Sequence, residues 1–161
     1  MSKTFALLAL LALPAVPASA LTQSAAAVAP SDGAEAAVAA FVAGLNSFDR
    51  GRFEALFAED ATLFFPTAPF PVRRIEGRAA IGEWFGRFFD SARRRGATRG
   101  NVTPRDLRVQ SYGNVAVATF HLEGGDNVGR RTLVLRRQAR RWLVIHLHAS
   151  SLPLPAPAER R

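Results

Sequence analysis

The stretch Trp142–Ser150, WLVIHLHAS, decides how the rest of the chain is read. It contains no Gly or Pro and is rich in aliphatic side chains, the composition of a β-strand. Alternation puts Trp142, Val144, His146 and His148 on one face, and Leu143, Ile145, Leu147 and Ala149 on the other. The stretch also carries two of the three histidines in the chain. Working back from it, Thr132–Gln138 is a second strand, joined by a tight turn at Ala139-Arg140. Val115–Glu123 and Arg105–Ser111 are two more, with turn residues at Gly124–Asn127 and at Tyr112-Gly113-Asn114. Turn chemistry at this spacing predicts antiparallel hairpins.

The half of the chain before these strands reads differently. Val38, Phe41, Val42, Leu45 and Phe48 fall at helical spacing, predicting a first helix from about Asp32 to Ser47. Ser31 or Asp32 serves as its cap, with Glu35 completing a capping box. Asp49-Arg50-Gly51 breaks it, and Arg52–Ala58 forms a short second helix with Phe53, Leu56 and Phe57 inward. Asp60 takes a turn or cap role ahead of a strand, Ala61–Phe65, closed by Pro66. Val72–Glu76 is a short edge strand. Gly77–Arg95 is a third helix with Ile81, Trp84, Phe85, Phe88 and Phe89 along one stripe. Two of those aromatic rings are expected to line a cavity and the others to pack as core. The fold class is α+β: three N-terminal helices packed on a strongly curved antiparallel or mixed sheet.

Composition bounds the function. Met1–Ala20 has a single basic residue, Lys3, then an apolar run from Phe5 to Leu13 and an Ala18-Ser19-Ala20 cleavage pattern. These are the parts of a signal peptide, with an apolar run too short to span a bilayer. The expectation is an exported protein, periplasmic or secreted, cleaved near Ala20, with residues 21–31 a lead-in without structure. Residues 32–151 are the domain and residues 152–161 an extended tail. The chain has no cysteine, so it carries neither disulfides nor a lipoprotein anchor. Its formal net charge is +8, and every basic residue except Lys3 is arginine. The arginine pairs lack interleaved aromatics, so they read as a solvated surface rather than a nucleic-acid or membrane site. The chain has no Gly-rich phosphate loop and no nucleophilic serine motif, and no cofactor is expected.

The order of elements resembles the NTF2-like superfamily of cone-shaped α+β domains, over about Ala34 to Ser151. Phe41–Pro66, FVAGLNSFDRGRFEALFAEDATLFFP, looks like the first two helices and first strand of delta-5-3-ketosteroid isomerase. Gly77–Ile81 fits the start of that family's third helix. Trp142 and His146–Ser150 look like the closing strand of kinase association domains and of the SnoaL-like group near them. The isomerase's three catalytic positions fall on Phe65, Phe41 and Leu133, all apolar here, so its proton transfer is not expected. The kinase association domains line this cavity with arginines that hold small carboxylates; matching strands puts those positions at Leu133, Ala149 and His121.

The resemblance therefore implies an apolar cavity formed by Phe41, Phe65, Trp84, Leu133 and Ala149. His121 would be its polar group, joined by Thr119 and Glu123 through alternation. The expected role is accessory binding of a small hydrophobic molecule. The alternatives are an enzyme of the cyclase, isomerase or hydratase type with His121 as acid or base, and a dimerising scaffold. His146 and His148 share a strand face, but the resemblance puts His121 on the opposite one, so no metal site is expected. Arg73, Arg74 and Arg137 are candidates for the cavity mouth. The family commonly pairs protomers through the sheet's outer face, which implies a homodimer.

Overall fold

The computed structural model describes residues 33–66, 74–124 and 127–153, with no account of the side chains of 123 and 124. The signal segment, the lead-in, the Ser31/Asp32 cap, Val72, Arg73 and the tail beyond Pro153 lie outside them. Three helices precede the main strands: α1 (Ala34–Ser47), α2 (Arg50–Glu54) and α3 (Arg78–Arg94). The strands are β1 (Phe57–Phe64), β2 (Ile75–Glu76), β3 (Pro104–Tyr112), β4 (Val115–Gly124), β5 (Asn127–Gln138) and β6 (Arg141–Pro153). They form one curved, unclosed sheet in the order β2-β1-β6-β5-β4-β3. β1 runs parallel to β6 and every other pairing is antiparallel, so the sheet is mixed.

Phenylalanine holds the helices to one another and to the sheet. Phe53 of α2 is fully buried, 4.4 Å from Phe85, 5.1 Å from Phe41 and 5.3 Å from Phe57, ring centre to ring centre. The absence of a side chain at Gly44 allows α2 in this close: a Cβ there would lie 2.9 Å from the Phe53 ring. Phe48 ends α1 in the left-handed region (φ 54°), costing about 1–2 kcal/mol for a residue with a Cβ. That turn seats its ring 5.4 Å from Phe89. Ile81, Phe85 and Phe89 of α3 are buried, as the stripe predicts, with Trp84 and Phe88 half-buried.

Several boundaries differ from expectation. The second helix begins earlier, capped by the Asp49 side chain, which accepts from the Arg52 amide at 3.0 Å, and it ends at Glu54. The spacing of Phe53, Leu56 and Phe57 fits a helix, but Phe57 is buried as the first residue of β1, paired with Val144. Asp60 is consequently neither a turn nor a cap. It lies within β1, and both of its carboxylate oxygens accept from Arg136 Nη2 at 3.1 Å. β5 also starts earlier than expected, at Asn127, which brings Arg130 and Arg131 into the sheet.

The closing strand keeps its alternation only in part. Leu147 and Ala149 are buried against the helices, while His146 and His148 face outward beside Thr62 and Phe64 of β1. β6 bulges opposite the Val134–Leu135 step of β5: Val134 pairs with His146, yet Leu135 pairs with Val144. The extra residue, Ile145, resets the parity. Val144 is the inward residue there, at 1 % exposure, in place of the expected Leu143 and Ile145.

Candidate functional site

Between the helices and the inner face of the sheet lies a cavity of about 180 Å³. Phe41, Leu45 and Phe48 of α1 and Phe85 and Phe88 of α3 form its helical wall, and Phe65 closes the end beyond β1. Leu122, Arg131 and Leu147 rise from the sheet, and Gly100, Asn101 and Val102 cross from the segment between α3 and β3. Phe65 packs 4.4 Å from Trp84, which stacks on Phe88 at 5.9 Å. Trp84 thus backs the lining rather than forming it. A larger, open groove of about 600 Å³ runs along the outside between α2 and α3. The charges around it neutralise one another, as Arg50–Glu54, Arg87–Glu83 and Arg93–Asp90 pairs. It is open to solvent, and its charges are matched apart from Asp49, whose carboxylate caps α2, so the smaller cavity is the better site.

Arg131 is the one charged side chain among the described lining residues. It stands on β5 opposite Phe120 and Ala149, both inward. Its Nη1 donates to the backbone oxygens of Arg130 (2.9 Å) and Ser150 (3.2 Å), and its guanidinium carbon lies 5.4 Å from the Phe65 ring centre. Burial lowers its pKa from the usual guanidinium value. It remains a cation at neutral pH. Among the described residues no carboxylate pairs with it.

Of the expected polar groups, His121 and Thr119 do not line the cavity, and the Glu123 side chain lies outside the described residues. On β4 the inward residues are Ala116, Ala118 and Phe120, all buried, with Leu122 beyond them. His121 and Thr119 therefore project from the opposite, outer face, His121 between Arg105 and Arg130 and Thr119 between Arg108 and Thr132. The family-based count is one residue out of step on this strand, and a slip of one flips every side chain. His121 consequently shares its face with His146 and His148, contrary to expectation. Even so, among the described residues no three His, Cys, Asp or Glu side chains come together to hold a metal. Phe41 and Phe65 do line the cavity. Leu133 and Ala149 are buried on the inner face as core, beneath it. Arg74 binds Glu76, Nε to Oε1 at 2.9 Å, instead of guarding a mouth, and Arg137 is exposed. Arg131 was hidden within an arginine pair, but its parity with Leu133 reveals it.

On the outer face Thr62 Oγ1 and His146 Nδ1 are 2.7 Å apart. Burial, then the charges of His148 and Arg74, lower the His146 pKa. A lowered value means the fold favours the neutral ring over the imidazolium. That stabilisation is complete above the unfolded value, about 6.5, and is lost as the pH falls through the lower folded one. Thermal unfolding should therefore show Tm falling as the pH drops below about 6.5, and His146→Asn should flatten that slope. An unchanged slope in the variant would refute the assignment.

Comparison with known proteins agrees with this architecture. The family model for a SnoaL-like domain matches residues 34–155. A candidate ketosteroid isomerase from Parabacteroides distasonis superposes with a TM-score of 0.59 at 22 % identity, over 73 % of this chain and 86 % of its own. An NTF2-like protein of unknown function from Pseudomonas putida gives 0.58 at 22 % identity, over 78 % and 86 %. A candidate dehydratase of the NTF2-like family from Streptomyces avermitilis gives 0.58 at 19 %, over 74 % and 92 %. At these identities the likeness is one of fold. No curated protein matches the sequence. With the family model covering helices, cavity and sheet alike, the chain belongs to the SnoaL-like family, and its fold is NTF2-like.

Proposed function

We propose that the protein binds a small apolar molecule bearing an acidic group, in an accessory rather than a catalytic role. The observation that carries this is Arg131: a guanidinium in a phenylalanine-lined cavity, without a carboxylate partner among the described residues. A half-desolvated cation is costly unless something compensates it. A carboxylate seated against its fork would do so through charge-assisted hydrogen bonds, with the apolar body of the ligand against the rings. The size class follows from the volume: a dry apolar cavity of about 150 Å³ holds a benzene ring, so about 180 Å³ takes one ring or a short acyl chain. A binding role is favoured over catalysis because the described lining offers no carboxyl or imidazole to move a proton. His121, the acid or base of the enzyme alternative, lies across the sheet from the cavity.

Titration calorimetry with benzoate, benzyl alcohol and benzylamine tests the reading. Benzoate should bind most tightly and benzylamine not at all; equal affinity for the acid and the amine would overturn it. Export remains part of the proposal, supported by the Met1–Ala20 pattern. Sequencing the mature N-terminus should give Leu21.

A second reading, a homodimer through the outer face of the sheet, has its own support. Val117, Val134 and His146 are only half-buried there, and Phe64 is 38 % exposed. A two-fold pairing would centre on these residues rather than on the Arg105–His121–Arg130 rung, where like charges would meet. Sedimentation at micromolar concentration should show a dimer; monomer alone would sink this reading.

A further inference from the structure

The cavity wall contributed by residues 97–103 differs in kind from the others. The rest of the lining stands on helices and strands or, as Phe48 and Phe65, one residue past their ends, whereas this segment joins Gly96 to Pro104 and runs over the surface with Thr98, Arg99, Asn101 and Thr103 exposed. Among the described residues, the hydrogen bonds that tie 98–103 to the body all end on Asn46, in the last turn of α1. The Asn46 side-chain amide donates to the Val102 oxygen at 2.9 Å and accepts from the Val102 amide at 2.8 Å. The Gly100 amide donates to the Asn46 backbone oxygen at 2.9 Å. Contact at Gly100 is so close that a Cβ there would lie 2.7 Å from Asn46 Oδ1 and 3.1 Å from Asn46 Cα. The upstream end is anchored to the end of α3, where Gly96, at a left-handed φ of 87°, and Ala97 donate their amides to the Arg93 and Ala92 oxygens at 2.9 and 3.1 Å, so opening has to begin downstream, at Asn46.

From this geometry we infer that residues 97–103 are a strap over the cavity entrance and that Asn46 is its latch. A ligand passes when the Asn46 bonds open, while the phenylalanine walls stay in place. This rests on the cavity being a binding site, but not on which ligand fills it. Local openings of this kind are set by the few bonds that hold the segment.

The test compares wild type, Asn46→Ala and Gly100→Ala, with benzene as a probe that needs no contact with Arg131. Asn46→Ala removes both side-chain bonds, and Gly100→Ala pushes the strap off by contact. In either variant benzene exchange, followed by NMR, should be about tenfold faster or more, with faster hydrogen exchange at the Val102 amide. Thermal unfolding verifies that each variant is folded. If Val102 exchanges faster but benzene exchange does not, the entrance lies elsewhere and the inference fails. It also fails if benzene enters none of the three proteins. Loss of benzoate binding with the benzene rates behaving as described would overturn the acidic-ligand reading and leave the latch standing.

Discussion

Replacing Arg131 by Leu should weaken benzoate binding about 10- to 100-fold while making the protein more stable. The two effects have one cause. The guanidinium is partly desolvated in an apolar cavity, and among the described residues it is compensated only by two backbone oxygens and the face of Phe65. A fork of charge-assisted hydrogen bonds to a bound carboxylate is worth about 1.5–3 kcal/mol, and each 1.4 kcal/mol is a factor of ten in affinity. With the cavity empty, that interaction is missing and the cost of keeping the cation out of water remains. Leucine, shorter and apolar, removes the cost. A Tm increase together with lost acid binding is the pattern of a residue kept for binding at the expense of stability. Arg131→Lys separates charge from shape: it retains the cation but not the planar fork, so its affinity should fall between the two. Calorimetry and thermal unfolding on the three proteins decide the matter. If Arg131→Leu binds benzoate as the wild type does, Arg131 is not the recognition group. If the variant loses both binding and stability, the arginine is structural.

The reach of the sequence was set by periodicity. The antiparallel hairpins are legible because turn residues punctuate alternating runs, and α3 because five large apolar side chains repeat at helical spacing. The parallel contact of β1 with β6 is not written locally, because it joins segments about 85 residues apart, as Thr62 with His146. The cavity was harder. Its apolar wall follows from the helices, and Phe41 and Phe65 are where the resemblance puts them. Its polar group depends on strand parity, where counting positions across families is weakest. On β4 the local pattern Ala116, Ala118, Phe120, Leu122 already turns His121 outward, and on β5 Leu133 and Leu135 turn Arg131 inward. Alternation read within the strand was the better guide. The bulge that exchanges Ile145 for Val144 leaves no such trace, because Leu143, Val144 and Ile145 are all aliphatic and fit either face. Nor does the strap: nothing in residues 97–103 names Asn46 as its partner.

Phe53→Ala should remove a large share of the stability of the fold, about 3–5 kcal/mol. The ring has no exposed surface and sits at the centre of a cluster formed by Phe41, Phe57, Phe85 and Phe89, all within 5.7 Å between ring centres. Truncating a buried Phe to Ala costs about 3–5 kcal/mol. Net stability for a domain of this size is about 5–15 kcal/mol, so the loss is a large share of the total and at the lower end nearly all of it. Collapse around the void has little room, because the Phe53 ring packs against Phe41 of α1 and against Phe85 and Phe89 of α3. Its neighbours also carry the site: Phe41 and Phe85 line the cavity and would lose the ring that fixes them. The variant should therefore unfold at much lower denaturant and, where still folded, bind benzoate poorly. Phe53→Leu, which retains most of the volume, should cost far less. Urea unfolding of the three proteins distinguishes the cases. An unfolding free energy for Phe53→Ala within about 1 kcal/mol of wild type would mean that the helices are held to the sheet mainly by contacts other than this cluster.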